Sequence, residues 1–152
     1  MKVRQLGAVV AAGALLLVGV TATQPAEAAA SKLQITKVYV NAPGTDRATN
    51  TSVNGEYVKI KNKSKKSMNL TGYTVRDESN HVYTFGSFTL KRGKTVTVYS
   101  GKGTNTATKR YMGQGWHVWN NSGGDSATLR NANGTKLDSC GWKKDIASSV
   151  TC

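Results

Sequence analysis

From Lys32 onward, apolar residues recur at every second position in short runs that polar turn residues separate. In the run EYVKIKN, this alternation directs Val58 and Ile60 to one side of an extended strand and the two neighbouring lysines to the other. No stretch of ten residues keeps the period of a helix. The pattern therefore predicts an all-β chain whose strands each have a buried and a solvated face.

Eight such runs follow one another along the chain. They are LQITKVYV (33–40), EYVKIKN (56–62), GYTVRD (72–77), HVYTF (81–85), FTL (88–90), KTVTVYS (94–100), SATLRN (126–131) and TKLDSC (135–140). Within the first run the apolar residues move from odd positions (Leu33, Ile35) to even ones (Val38, Val40), so the strand either shifts phase there or packs on both sides. Seven or eight short strands at spacings of about ten residues predict an immunoglobulin-like antiparallel β-sandwich, with a closed barrel as the alternative.

Two further features complete this fold prediction. We expect Trp119 to fill the space between the two sheets, because a large aromatic side chain in a sandwich usually packs in the core. The long polar segments 41–54 and 101–115 are expected to be loops, where variable contacts usually lie.

The first thirty residues differ in composition from the rest. Lys2 and Arg4 precede an uncharged apolar run, residues 6–20, which small residues follow. This order is typical of a secretory signal peptide, and the run is shorter than the roughly 20 residues that span a bilayer. We expect cleavage after Ala28, with Ala30 as the alternative. Residues 29–152 then form one domain without a transmembrane segment, secreted to the cell surface or the medium.

Positive charge dominates the expected mature chain. The sequence holds 21 Lys and Arg residues and 8 Asp and Glu residues; two of the former and one of the latter precede residue 29, which leaves a net charge of +12. Ten of the cations cluster on strands and turns, and these are the predicted polyanion-binding residues. They are Lys59, Lys61, Lys63, Lys65, Lys66, Lys91, Arg92, Lys94, Lys109 and Arg110.

A field of this sign concentrates anions, so we expect binding to an anionic cell-wall polymer or to nucleic acid. Tyr111, Trp116 and Trp119 lie near these cations in the sequence and could add a stacking platform. The alternative is a structural or protein-interaction module whose lysines only solvate the strands and prevent edge pairing.

Cys140 and Cys152 are the only two cysteines. In an oxidising compartment they are expected to form a disulfide that ties the C-terminal tail to the domain, which stabilises the fold by roughly 3 kcal/mol. An intermolecular bridge or free thiols are the alternatives. A zinc site is not expected, because the cysteines and histidines lack ligand spacing.

The sequence offers no recognised catalytic frame. His81 follows Asp77 and Glu78 in what we interpret as a solvated turn, and neither this histidine nor His117 lies in a nucleophile motif. Asp125 follows NNSGG, but the alternating ligands of a calcium loop are missing. We therefore expect no enzymatic activity, no cofactor and no metal. An enzyme, as a third alternative, would need His117, Asp125 and a cation in one cleft.

Several segments resemble the lamin tail domain in their order and spacing. The segments are GEYVKIKNKS (55–64), NLTGYTVRD (69–77), YTF (83–85), FTLKRGKTVTVYSGKGTNT (88–106) and VWNNSGGDSATLRNANG (118–134). The resemblance implies an immunoglobulin-like sandwich. In lamins this domain is a platform for proteins and DNA, and in bacteria it often accompanies secreted nucleases or phosphoesterases. For a chain with no room for an enzyme domain, the resemblance implies a binding module, and nuclear partners do not carry over to an exported protein. For the third alternative, an enzymatic or nuclease-associated role, the resemblance favours a nuclease.

Overall fold

The structure, a computed structural model, describes residues 32–152. The predicted signal peptide, residues 1–28, lies outside the described residues. Within residues 32–152 the chain forms eleven strands and one short helix. They are β1 (Leu33–Tyr39), α1 (Asn50–Val53), β2 (Tyr57–Asn62), β3 (Met68–Asn69), β4 (Thr74–Arg76), β5 (Val82–Thr84), β6 (Thr89–Leu90), β7 (Thr95–Tyr99), β8 (Lys109–Tyr111), β9 (Asp125–Arg130), β10 (Lys136–Trp142) and β11 (Ser149–Thr151).

The strands form two main sheets. One sheet has the order β11-β1-β2-β7-β8, the other has the order β10-β9-β4-β5, and β3 pairs with β6 as a separate ribbon. All pairs are antiparallel except β7 with β8. The predicted all-β, immunoglobulin-like sandwich is confirmed.

The strand count exceeds the predicted seven or eight, because β3, β8 and β11 are too short to show an alternating pattern. Strand β8 lies in the segment 101–115, which we expected to be a loop. Helix α1 lies in the other expected loop, 41–54, and its N-cap Thr49 accepts the backbone N–H of Ser52 through its side chain.

The core lies between the two main sheets and uses the alternating apolar residues. Val58 and Ile60 of β2 are fully buried, as are Val96 and Val98 of β7. Trp119 is also buried in this core, as its predicted role between the sheets requires. The apolar alternation therefore identified the inward face of the central strands.

A bulge in β1 explains the phase shift in the sequence. Ile35 pairs with Ile60, but the next pair is Lys37 with Lys59, so Thr36 is an extra residue on β1. As a result, Thr36 and Lys37 are both on the outer side of the sheet, and Val38 returns to the core. The bulge thus places one more lysine beside the lysines of β2.

The predicted disulfide between Cys140 and Cys152 is confirmed. Cys140 belongs to β10 and Cys152 follows β11, with their Cα atoms 5.8 Å apart. The bond therefore joins the edge strand of the four-stranded sheet to the edge strand of the five-stranded sheet.

Candidate functional site

The outer face of the five-stranded sheet carries a row of paired residues that crosses all five strands and holds lysines on three of them. Residues that pair across a sheet project to the same side, about 5 Å from one another. We call one such set of paired residues the lysine row. Its members, in strand order, are Thr151, Lys37, Lys59, Thr97 and Lys109. Lys61 lies two residues along β2 on the same face, beside Thr95. Four ammonium groups therefore share one side of the sheet.

The lysine row borders an open depression of about 430 Å³. Lys59, Lys61 and Lys109 line it together with hydroxyl-bearing side chains. The hydroxyl-bearing residues are Thr36, Thr95, Thr97, Thr108 and Tyr99. No aspartate or glutamate is among the lining residues, so the depression has an uncompensated positive charge.

A second set of paired residues lies directly beside the lysine row, and we call it the tyrosine row. Its members are Ser149, Tyr39, Tyr57, Tyr99 and Tyr111. The rings of Tyr39 and Tyr57 stack with centroids 5.1 Å apart, and those of Tyr99 and Tyr111 stack at 5.3 Å. Tyr57 and Tyr99 meet edge to face at 5.6 Å. The four rings thus form a continuous ladder across the sheet.

The two rows also contact each other. The Lys59 Nζ lies 5.5 Å from the ring centroid of Tyr57, and the Lys37 Nζ lies 5.9 Å from that of Tyr39, within the range of cation–π attraction. Burial, and then the neighbouring phenols of Tyr39 and Tyr99, raise the pKa of Tyr57 above its ordinary value. The Tyr57 hydroxyl therefore keeps its proton, and can donate a hydrogen bond, at neutral and mildly alkaline pH.

Sequence reasoning did not identify the tyrosine row or Lys37. The tyrosines of β1, β2 and β7 each occupy an outward position of their strand, which the sequence does show. Their side-by-side arrangement depends on strand order and register, which no local pattern specifies.

The other predicted lysines form a second basic area at one end of the sandwich. The buried Asn62 donates from Nδ2 to the carbonyl oxygens of Lys66 and Leu90, both at 2.9 Å. Its backbone N–H donates to the Lys94 carbonyl at 3.0 Å. Asn62 therefore holds the turn after β2 against the turn before β7. The cations of this basic end are Lys32, Lys63, Lys65 and Lys66, which line a common depression, and Lys91, Arg92 and Lys94 of the turn that Asn62 contacts.

Arg110 does not belong to the exposed cations with which the sequence grouped it. Its side chain points into the sandwich, and the guanidinium carbon lies 3.9 Å from the ring centroid of Phe88. The guanidinium donates hydrogen bonds to the carbonyl oxygens of Thr106 and Lys109. These contacts satisfy the buried cation and anchor β8, so we exclude Arg110 from the candidate site.

The stacking platform suggested by the sequence is not formed by its three aromatic residues. Trp119 is buried in the core, so it is not accessible to a ligand. Trp116 is 55% exposed on a loop, and Tyr111 belongs to the tyrosine row. Only Tyr111 of the three is part of the candidate face.

A buried polar cluster lies at another end of the domain, around Glu56 and His117. Glu56 Oε1 lies 3.0 Å from His117 Nδ1, and His117 Nε2 lies 3.2 Å from Ser52 Oγ. This order of groups is that of a hydrolytic triad, but the buried Nδ1 has no aligned hydrogen-bond acceptor. Ser52 Oγ already accepts the backbone N–H of Arg47 at 3.2 Å.

The contacts of Glu56 indicate a structural role for this cluster. Its Oε2 accepts the backbone N–H groups of Val118 and Trp119, at 2.7 and 3.3 Å. It also receives the hydroxyl of Ser100 at 3.4 Å. Glu56 therefore fixes the loop that inserts Trp119 into the core.

The remaining acidic residues considered from the sequence are structural as well. The expected solvated turn is formed, with Glu78 exposed, but Asp77 itself is buried and contacts His81 Nδ1 at 2.6 Å. Asp125 is also buried, and it accepts backbone N–H groups of Glu78, Asn120 and Ser126. Among the contacts described for residues 32–152, none joins Asp125 to His117. The described part of the chain contains no group of three His, Cys, Asp or Glu side chains suited to a metal.

Comparison with known proteins identifies the family. The lamin tail domain matches residues 26–144, which is more than half of the chain and includes β1 to β10. A comparison of the chain with curated proteins found no match. No helix in the described region is long and apolar enough to cross a membrane. The family is one of structural immunoglobulin-like domains, which supports a non-enzymatic protein. The chain belongs to the lamin tail domain family.

Proposed function

We propose that this protein is a secreted, non-catalytic module that binds an anionic extracellular polymer. The lysine row and Lys61 form the main contact. The observation that carries this proposal is the placement of four ammonium groups on one face of a single sheet. None of the residues in the lysine and tyrosine rows is acidic.

The spacing of these cations supports binding to a polymer rather than to a single small anion. Neighbouring strands place Lys37 and Lys59 about 5 Å apart, well within the Debye length of about 10 Å at 0.1 M salt. Their potentials therefore add. Strand β2 leads directly from Lys59 and Lys61 to Lys63 in the basic end, so a long chain could contact both areas.

The alternative explanation, protection of exposed strand edges, fits these lysines poorly. Edge protection places lysines on the outermost strands. Lys59 and Lys61 belong to β2, the central strand of the five-stranded sheet. Repulsion between neighbouring lysines on a central strand opposes folding, and a bound polyanion would relieve it. The charge therefore has a more specific explanation than solubility.

A charge-removing variant tests the proposal. We expect Lys37→Gln/Lys59→Gln/Lys61→Gln/Lys109→Gln to weaken binding to duplex DNA or to purified anionic wall polymer by about tenfold at 50 mM salt. The slope of log affinity against log salt should decrease in magnitude, because fewer counterions are released. Fluorescence anisotropy on the purified, disulfide-bonded protein, at about 50 and 200 mM salt, measures both.

The matched control removes the same charge elsewhere. Arg76→Gln/Lys136→Gln/Lys143→Gln/Lys144→Gln changes four cations that belong to the four-stranded sheet or directly follow its strand β10. We expect it to weaken binding less than threefold. Equal losses in the two variants would mean that only the net charge matters, and no binding by the unaltered protein at 50 mM salt would refute the proposal.

Export is tested separately. We expect the protein recovered from the culture medium of a secreting host to begin at Ala29, after the predicted cleavage at Ala28. Intact-mass measurement and N-terminal sequencing report the cleavage site. Retention of the intact chain in the cytoplasm would contradict the secretion proposal.

A further inference from the structure

The outer face of the five-stranded sheet presents hydroxyl groups as regularly as it presents cations. The tyrosine row supplies five hydroxyls, and the lysine row adds those of Thr97 and Thr151. Three more threonines border the depression, namely Thr36, Thr95 and Thr108. No side-chain hydrogen bond within residues 32–152 uses the hydroxyls of the four tyrosines or of Thr95 and Thr97.

From this arrangement we propose that the face binds a polyhydroxylated polyanion, a sugar or polyol chain that carries carboxylate or phosphate groups. The inference rests on the proposed function and narrows its ligand class. A hydroxyl both donates and accepts hydrogen bonds, whereas an ammonium only donates. Ligand hydroxyl groups need both kinds of partner, and a bare anion needs only donors. The combination of the two rows therefore matches a ligand that has hydroxyls and anionic groups along one chain.

The ring geometry argues against single-stranded nucleic acid. Binding of unpaired bases depends on aromatic faces that are free to stack. Here the faces of Tyr39 and Tyr57 cover each other, with an angle of 20° between the rings, and Tyr99 and Tyr111 do the same at 19°. Each of the four rings therefore has one face covered by a neighbouring ring. The hydroxyl groups remain the part of the ladder that suits a ligand.

The rows also fit the dimensions of an extended chain. Each row crosses five strands, which is four spacings of about 4.8 Å or roughly 19 Å. A polymer lying across the strands would follow the lysine row with its anionic groups. Its hydroxyls would meet the tyrosine row on one side and the threonines of the depression on the other.

The test separates hydroxyl recognition from charge. The variant Tyr57→Phe/Tyr99→Phe/Tyr111→Phe/Thr97→Val removes four hydroxyls and keeps every ring, every β-branched side chain and every charge. Four probes are compared at one salt concentration: a polyuronate, a poly(glycerol phosphate), single-stranded DNA and inorganic polyphosphate. We expect the unaltered protein to bind the polyuronate or the poly(glycerol phosphate) most tightly, and the variant to lose about fivefold on that probe. Its binding to inorganic polyphosphate should change less than twofold.

The control variant Thr84→Val/Thr128→Val removes hydroxyls from the four-stranded sheet and should bind all four probes as the unaltered protein does. A preference between polyuronate and poly(glycerol phosphate) identifies the anionic group. Tighter binding to single-stranded DNA, or an unchanged affinity in the hydroxyl variant, would overturn the inference while leaving polymer binding intact. Failure to bind any of the probes, inorganic polyphosphate included, would refute the proposed function itself.

Discussion

Replacing Glu56 by alanine is expected to lower the free energy of unfolding by about 3 kcal/mol. Glu56 is 2% exposed, and its Oε2 is the acceptor for the backbone N–H groups of Val118 and Trp119. The truncation leaves both buried donors without an acceptor and opens a cavity beside His117. Urea unfolding, followed by tryptophan fluorescence, measures the loss.

Glutamine is the matched control at this position. Glu56→Gln keeps an oxygen that can accept the two N–H groups and removes the charge, so we expect a loss of less than about 1 kcal/mol near pH 7. Equal losses for alanine and glutamine would show that the carboxylate charge, rather than the acceptor, holds the loop.

The unaltered protein and Glu56→Gln should also differ in how their unfolding free energy depends on pH. Burial raises the pKa of Glu56 above its ordinary value of 4.5, and the hydrogen bonds from Val118 and Trp119 and the nearby His117 oppose this rise. The folded protein therefore holds the proton more tightly than the unfolded chain does. The part of the stability that comes from this tighter proton binding is fully present below pH 4.5 and is lost as the pH rises through the higher folded value. The hydrogen bonds from Val118 and Trp119 are a separate contribution. The unfolding free energy of the unaltered protein minus that of Glu56→Gln should decrease across this window. An increase of this difference with pH would contradict the assignment.

The sequence could predict the buried face of a strand wherever that strand shows an alternation of apolar and polar residues. Val58 and Ile60 alternate with Lys59 and Lys61, and the structure buries the first pair and leaves the second on the outer face. The burial of alternating valines in β7 follows from the same period. These inferences needed no knowledge of the neighbouring strands.

The candidate face could not be predicted in full, because it depends on pairing between distant segments. Lys37 reaches the side of Lys59 only through the bulge at Thr36. Lys109 joins the same row because β8 pairs in parallel with β7, across an intervening loop. Register is fixed by packing of the whole sandwich, and single-strand periodicity does not contain it.

Arg110 shows a different limit of sequence reasoning. In the three residues of β8 no alternation can be recognised, so residue type alone suggested that a cation would be exposed. The structure instead buries Arg110 over Phe88 and satisfies its guanidinium with carbonyl oxygens. The Glu56 and His117 cluster was missed for a related reason, since its members come from separate segments without a shared motif.

Loss of the disulfide is expected to lower the free energy of unfolding by about 3 kcal/mol, as loop closure between residues separated by 12 positions predicts. Cys152→Ala is the variant of choice, because Cys152 is exposed and its replacement leaves no core cavity. Urea unfolding of this variant should match that of the reduced protein. Unchanged stability in both would mean that the bond adds nothing to the native state.

Loss of the disulfide should also have a local effect on the five-stranded sheet, in addition to lowering the free energy of unfolding. Strand β11 pairs only with β1, and the disulfide adds a second covalent link to β10 besides the chain segment 143–148. In Cys152→Ala we expect faster hydrogen exchange at Val40 and Asn41, whose N–H groups bond to the Ser148 carbonyl. Detachment of β11 also leaves β1 as an unpaired edge, which favours association of two molecules through that strand. Light scattering at rising concentration tests this outcome. A variant that stays monomeric with protected Val40 and Asn41 amides would show that β11 holds its place through its pairing with β1 alone.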